Sequence, residues 1–133
     1  MYSLTVCDHI MIAHSFRGAE FGPAQRLHGA TYAVEAEFRA PALDALGLLI
    51  DIGLARTELR RILDVLDYRN LDEATEFAGR NTTTEVVAQH VWEQLGAACR
   101  AGTLGDGGKR VAALKVTLRE SPLAWAAYEG ALA

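Results

Sequence analysis

Residues 28–39 run His-Gly-Ala-Thr-Tyr-Ala-Val-Glu-Ala-Glu-Phe-Arg, and this stretch decides the fold class. Ala30, Tyr32, Val34, Ala36 and Phe38 fall on one phase, while Thr31, Glu35, Glu37 and Arg39 fall on the other. A period of two with one apolar side marks a half-buried strand of an antiparallel sheet. Residues 4–14 alternate in the same way. Leu4, Val6, Ile10 and Ile12 share a phase that Asp8 interrupts and His14 continues. Between the two strands, residues 15–27 carry Gly18, Gly22 and Pro23 and predict a surface loop.

Downstream the period changes. A short apolar run over residues 46–50 closes on Asp51, and residues 54–66 then switch to helical spacing. Ala55, Leu59, Ile62, Leu63 and Leu66 lie on one side of that helix, with Arg56, Glu58, Arg60 and Arg61 on the rest. A second helix is expected from near Thr84, because Thr82 followed by Glu85 has the form of a capping box. Its buried stripe is Ala88, Val91, Trp92, Leu95, Ala98 and Cys99, and Gly102 is its stop. Residues 103–109 are glycine-rich without a phosphate-binding arrangement around them, so a turn is expected there. Alternation returns at Ala112, Leu114, Val116 and Leu118, extended by Glu120, and a short final strand covers residues 124–128. The order β-β-α-α-β-β predicts an α+β fold, a four-stranded antiparallel sheet with two helices on one face.

Residues 1–133 are expected to form a single domain, with neither a linker nor an internal repeat. Hydrophobic residues make up 50% and charged residues 23%, which excludes a disordered or low-complexity chain. The formal net charge of −4 argues against a nucleic-acid binder, which needs a basic surface to displace counterions. No stretch approaches the roughly 20 apolar residues of a membrane span, and residues 1–13 include Asp8 and His9 without a basic leader. Cys7 and Cys99 are too few for a disulfide framework. They are expected to be free thiols in the cytoplasm.

His14, His28 and Glu120 each lie at a strand end on the phase that otherwise points inward. A buried imidazole or carboxylate without a partner is costly, so each needs a hydrogen bond, a metal or a ligand. Singly, each is explained as a rim residue bonded to backbone; together they predict one pocket. Two histidines can also ligate zinc, but no third is in place: His9 is on the opposite phase and His90 on the second helix, and both are expected to be exposed. Thr83, Thr84 and Glu85 sit where a helix begins and offers free N–H groups to a polar edge, although capping alone accounts for Glu85. Asp67 closes the first helix, where its charge opposes the helix dipole unless it is simply solvated.

The runs Ile10-Met-Ile-Ala-His14, Arg26-Leu-His-Gly-Ala30 and Leu48-Leu-Ile-Asp51 resemble those of the 6-pyruvoyltetrahydropterin synthases and the related queuosine-pathway 6-carboxytetrahydropterin synthases. So, in the same order, do Leu66-Asp67-Tyr68, Asn70-Leu71, Thr83-Thr84-Glu85 and Arg119-Glu120, and the likeness spans nearly the whole chain. It implies a T-fold (tunnelling fold) whose subunits join their sheets into an oligomeric barrel, commonly a homo-hexamer as a dimer of trimers. It also implies a pterin-like small-molecule ligand. Glu120 matches the family glutamate that holds the 2-amino-pyrimidinone edge through paired N–H bonds, and Thr83 and Thr84 border that pocket.

The departures bear on the chemistry. The family binds zinc through a histidine matching His14 and the pair of a His-Gly-His motif, which here is His28-Gly29-Ala30. Two imidazoles are too few for a catalytic zinc, so no tightly bound cofactor is expected unless Glu20, Asp8 or a partner subunit adds a ligand. Ala24 stands at the position of the family cysteine, and the family Asp-His pair is Asp67-Tyr68. Two functions follow from the resemblance. One is a zinc-independent lyase on a dihydropterin side chain, with His14, His28, Asp67 and Tyr68 in catalysis and Thr83, Thr84, Glu85 and Glu120 in binding; Glu20 is a weaker analogue of the glutamate that replaces the cysteine in some relatives. The other is a non-catalytic pterin-binding module, or a structural subunit of a mixed T-fold oligomer.

Overall fold

The computed structural model describes residues 1–132. Strands β1 (Tyr2–His14) and β2 (His28–Ala40) form a long antiparallel ladder, running from Tyr2 opposite Ala40 to His14 opposite His28. The expected alternation is present: Val6, Ile10, Ile12, Tyr32, Val34, Ala36 and Phe38 are buried. Residues 15–27 form the expected connection and contain a short 3-10 segment, Ala19–Gln25.

Helix α1 (Ile52–Asp64) is N-capped by Asp51, whose Oδ1 accepts from the Leu54 N–H at 3.0 Å. It begins two residues before the apolar periodicity does, because the cap and not the stripe sets the first turn. Glu58, expected on the solvated side, is 5% exposed and paired with Arg61. After α1 comes β3 (Arg69–Asn70), which lies parallel to Ile12 and Ala13 of β1. The sheet therefore has five strands in the order β3-β1-β2-β4-β5 rather than four, and is not wholly antiparallel. Two residues are too few to show a period, so β3 leaves no mark on the alternation.

Helix α2 (Thr84–Ala101) starts and stops where expected, ending on Gly102 in the left-handed region at φ 82°. Its cap is Thr83, not Thr82: the Thr83 hydroxyl accepts from the Val86 N–H at 3.3 Å. The capping box with Glu85 is therefore absent, since Thr82 is drawn away to His14. The glycine-rich stretch holds a one-turn helix, α3 (Gly105–Lys109), in place of a plain turn. Strands β4 (Ala113–Ser121) and β5 (Ala124–Ala131) finish the sheet, and β5 runs beyond the expected residue 128.

Helix α1 packs on β1 and α2 on β4 and β5, which puts both on the sheet face that carries Ile10, Tyr32, Phe38, Leu114 and Leu118. Among the described residues no helix is long and apolar enough to cross a membrane.

The chain leaving α1 is fastened to β1 by Arg60. Its guanidinium donates to Asp8 at 3.0 Å, Asp64 at 2.8 Å, Asp67 at 3.0 Å and the His9 carbonyl at 3.1 Å. Asp67 in turn accepts from the Met11 N–H at 2.9 Å, and the Tyr68 N–H donates to the Met11 carbonyl at 2.7 Å. Charge-assisted bonds like these are stronger than neutral ones, but a guanidinium 33% exposed is partly screened. Arg60→Ala is expected to cost about 1–2 kcal/mol of unfolding free energy in urea titration.

Candidate functional site

The antiparallel register puts His14 directly across from His28, with ring centroids 4.6 Å apart in an edge-on contact. His14 is 2% exposed, and its Nδ1 lies 3.0 Å from both the Thr82 carbonyl and the Thr82 hydroxyl. His28 Nδ1 lies 2.8 Å from the Arg26 carbonyl. A carbonyl oxygen can only accept, so in each ring Nδ1 carries a proton. Burial pushes the His14 imidazole below its ordinary 6.5 and His28 adds to this, against the Thr82 carbonyl bond and the fields of Asp72 and Glu120. His14 is therefore neutral at neutral pH. Phe16 covers the pair, 4.5 Å from the His14 ring and 5.6 Å from the His28 ring, and Phe21 backs it at 4.9 Å. Neither phenylalanine stood out in the sequence, because both fall in the irregular connection where no periodicity marks a buried side.

The second part of the site joins β4 to the start of α2. A register shift between Arg119 and Ser121 leaves Glu120 outside the β4–β5 ladder. Its Oε1 accepts from the Thr84 hydroxyl at 2.6 Å. Thr84, Glu85, Glu120, Ala124, Trp125 and Ala126 line a cavity of about 230 Å³. Glu120 is exposed at the mouth of this cavity rather than buried beneath it. Trp125, which the sequence did not single out, carries the Arg119 guanidinium 4.3 Å over its ring. A larger recess of about 640 Å³ lies between β1 and α1, but its guanidinium Arg60 is already engaged by carboxylates and Arg61 by Glu58.

The remaining candidates are placed differently. Thr83 is occupied with its cap. Asp67 is held by Arg60 and the Met11 N–H instead of facing the histidines. Tyr68 is 82% exposed with its backbone in the left-handed region, φ 58°. The structure thus brings together His14 with His28, and Thr84 with Glu85 and Glu120, while Asp67 is bound to Arg60 and the Met11 N–H and Tyr68 is exposed. His9 is exposed as expected, but His90 is half-buried edge-on to Phe77, centroids 4.9 Å apart, with its imidazole lowered by burial.

Zinc does not fit the donors of one protomer. Ala30 offers a methyl on the inward phase of β2, Asp8 is bound to Arg60, and Glu20 lies in the exposed loop. No group of three or more His, Cys, Asp or Glu side chains among the described residues is arranged to hold a metal ion.

Compared with known proteins, residues 3–131 match the family model described as 6-pyruvoyl tetrahydropterin synthase. A Caenorhabditis elegans protein named for 6-pyruvoyl tetrahydrobiopterin synthase is 28% identical over 104 residues, covering 77% of this chain and 69% of that one. The solved 6-pyruvoyl tetrahydropterin synthase from Caenorhabditis elegans superposes with a TM-score of 0.79 at 26% identity, over 97% of this chain and 95% of that one. The Plasmodium vivax enzyme gives 0.78 at 19% identity, over 98% of both chains, and speaks for the shared fold alone.

Two outcomes are expected. After exhaustive dialysis, elemental analysis should find well under one zinc per chain, and Ala30→His should raise zinc retention. For the lowered His14 and His90 imidazoles, the unfolded chain binds more protons than the folded one just below pH 6.5. Their contribution to stability is complete above that pH and is lost as pH falls through the folded values. Urea midpoints should therefore drop on acidification, and drop less in His14→Asn and His90→Gln.

Proposed function

The chain belongs to the 6-pyruvoyl tetrahydropterin synthase family, and from that premise we propose that it is a pterin-binding T-fold protein of the cytoplasm. It acts as an atypical lyase without catalytic zinc on the side chain of a dihydropterin such as 7,8-dihydroneopterin or its triphosphate. The observation that carries this reading is the Thr84–Glu120 bond at the mouth of a cavity. Thr84 supplies the one proton between them, so Glu120 is fixed as an acceptor. Its second oxygen and remaining lone pairs are left for the two parallel N–H groups of an amino-pyrimidinone edge.

The imidazole pair supports a proton-transfer step. A neutral His14 with a free Nε2 lone pair is a competent base, and His28 stands beside it with its Nδ1 likewise held by a carbonyl. Abstraction of a proton beside a carbonyl or hydroxyl also calls for a donor to the developing oxyanion. Tyr68 has the phenol for this, but it is exposed where His14 is buried. The reading therefore carries a homo-oligomer, hexameric as a dimer of trimers, in which Tyr68 meets the reacting group across copies.

A second reading draws on Asp67 and the alanines. Asp67 is committed to Arg60 and Met11, and Ala24 and Ala30 offer no reactive group. A binding module, or the structural subunit of a mixed T-fold oligomer, would need nothing more.

Incubation with 7,8-dihydroneopterin and its triphosphate, with and without zinc, separates the two readings. The lyase is expected to form product and to lose turnover in His28→Ala. Glu120→Ala is expected to weaken ring binding by roughly tenfold to a hundredfold, as for a lost charge-assisted bond. Saturable binding without product selects the module, and no binding at all overturns both.

A further inference from the structure

Tyr32 lies on β2 two residues beyond Ala30, on the inward phase, and is 0% exposed. Among the described residues its hydroxyl is the buried side-chain polar atom that has no hydrogen-bond partner. Such an atom is destabilising when left unsatisfied, and a phenylalanine would fill the same space without that cost. The hydroxyl neighbours Thr84, and the fields of Glu120 and Glu85 reach it. Burial holds the phenol above its ordinary 10, so it remains a neutral donor throughout the working range.

The bonds around Thr84 can run in one direction only. A carboxylate accepts and does not donate, so the single Thr84 proton goes to Glu120 Oε1. That leaves a lone pair on Thr84 Oγ1, the neighbour of a phenol that has no acceptor of its own.

We propose that Tyr32 is a positioning residue for the ring-holding cavity: its phenol donates to Thr84 Oγ1, which keeps the Thr84 proton on Glu120 and the carboxylate in its accepting orientation. The proposal rests on the reading that Glu120 holds the amino-pyrimidinone edge. Tyr32 touches no ligand itself; it acts through Thr84. Without its hydroxyl, Thr84 can turn its proton elsewhere, and Glu120 loses the fixed aim that favours a ring bearing a 2-amino donor.

The test is the preference for pterin over lumazine, its analogue with an oxygen at the 2-position, measured by titration calorimetry. Wild type is expected to prefer pterin, because the lumazine oxygen faces a carboxylate. Tyr32→Phe should narrow that preference about threefold to tenfold, the range of one neutral hydrogen bond, with no fall in the unfolding midpoint. It should cause no further narrowing in Thr84→Val, and Thr84→Ser should keep the wild-type preference. Equal loss for both rings, or no change for either, overturns the proposal. If wild type binds neither ring, the functional reading fails and the ligand-free protein decides for Tyr32. A Tyr32 hydroxyl proton, seen by NMR, that shifts in Glu120→Gln but not in Glu120→Gln/Thr84→Val supports the relay, and one that is indifferent to Glu120 overturns it.

Discussion

The pairing of β1 with β2 is the constraint on which the rest depends. Its register runs unbroken from Tyr2 opposite Ala40 to His14 opposite His28. Side chains alternate across a sheet, so a slip of one residue would turn Ile10, Tyr32 and Phe38 to solvent. It would also part the two imidazoles. The same apolar rows that hold α1 and α2 thus bring His14 and His28 to one end of the sheet. There the apolar phase gives way to groups with hydrogen-bonding capacity.

Those groups form two devices with different chemistry. The imidazoles are oriented through Nδ1 by backbone carbonyls and covered by Phe16, which leaves each Nε2 free of those bonds. Glu120 is oriented by a hydroxyl at the first residue of α2 and released from its ladder by an irregularity in β4. One device presents two imidazoles and the other a carboxylate. The family scaffold is retained here, with alanines at positions 24 and 30.

The long strands and both main helices were legible because each buries one face against a single core, which imposes a period on the sequence. His14, His28 and Glu120 stood out for the same reason: they continue apolar phases with polar groups. Thr82 was misassigned because a threonine three residues before a glutamate carries the same local signature whether it caps a helix or serves a distant histidine. Arg60 shows the same limit, since its partners Asp8 and Asp67 lie far apart in sequence and only the fold makes them neighbours. Tyr32 was visible as a core residue but not as a donor, because alternation records which way a side chain points and not what its hydroxyl meets.

The turn after α1 has a mechanical consequence for the outer margin of the sheet. Along that margin of β1, the His9 carbonyl is taken by Arg60, the Met11 N–H by Asp67 and the Met11 carbonyl by Tyr68, and β3 covers Ile12 and Ala13. A foreign strand arriving there finds no vacant partners from residue 9 onward. Ladder growth is confined to the first half of β1, and the end bearing His14 is sealed against runaway strand addition by a salt-bridged latch.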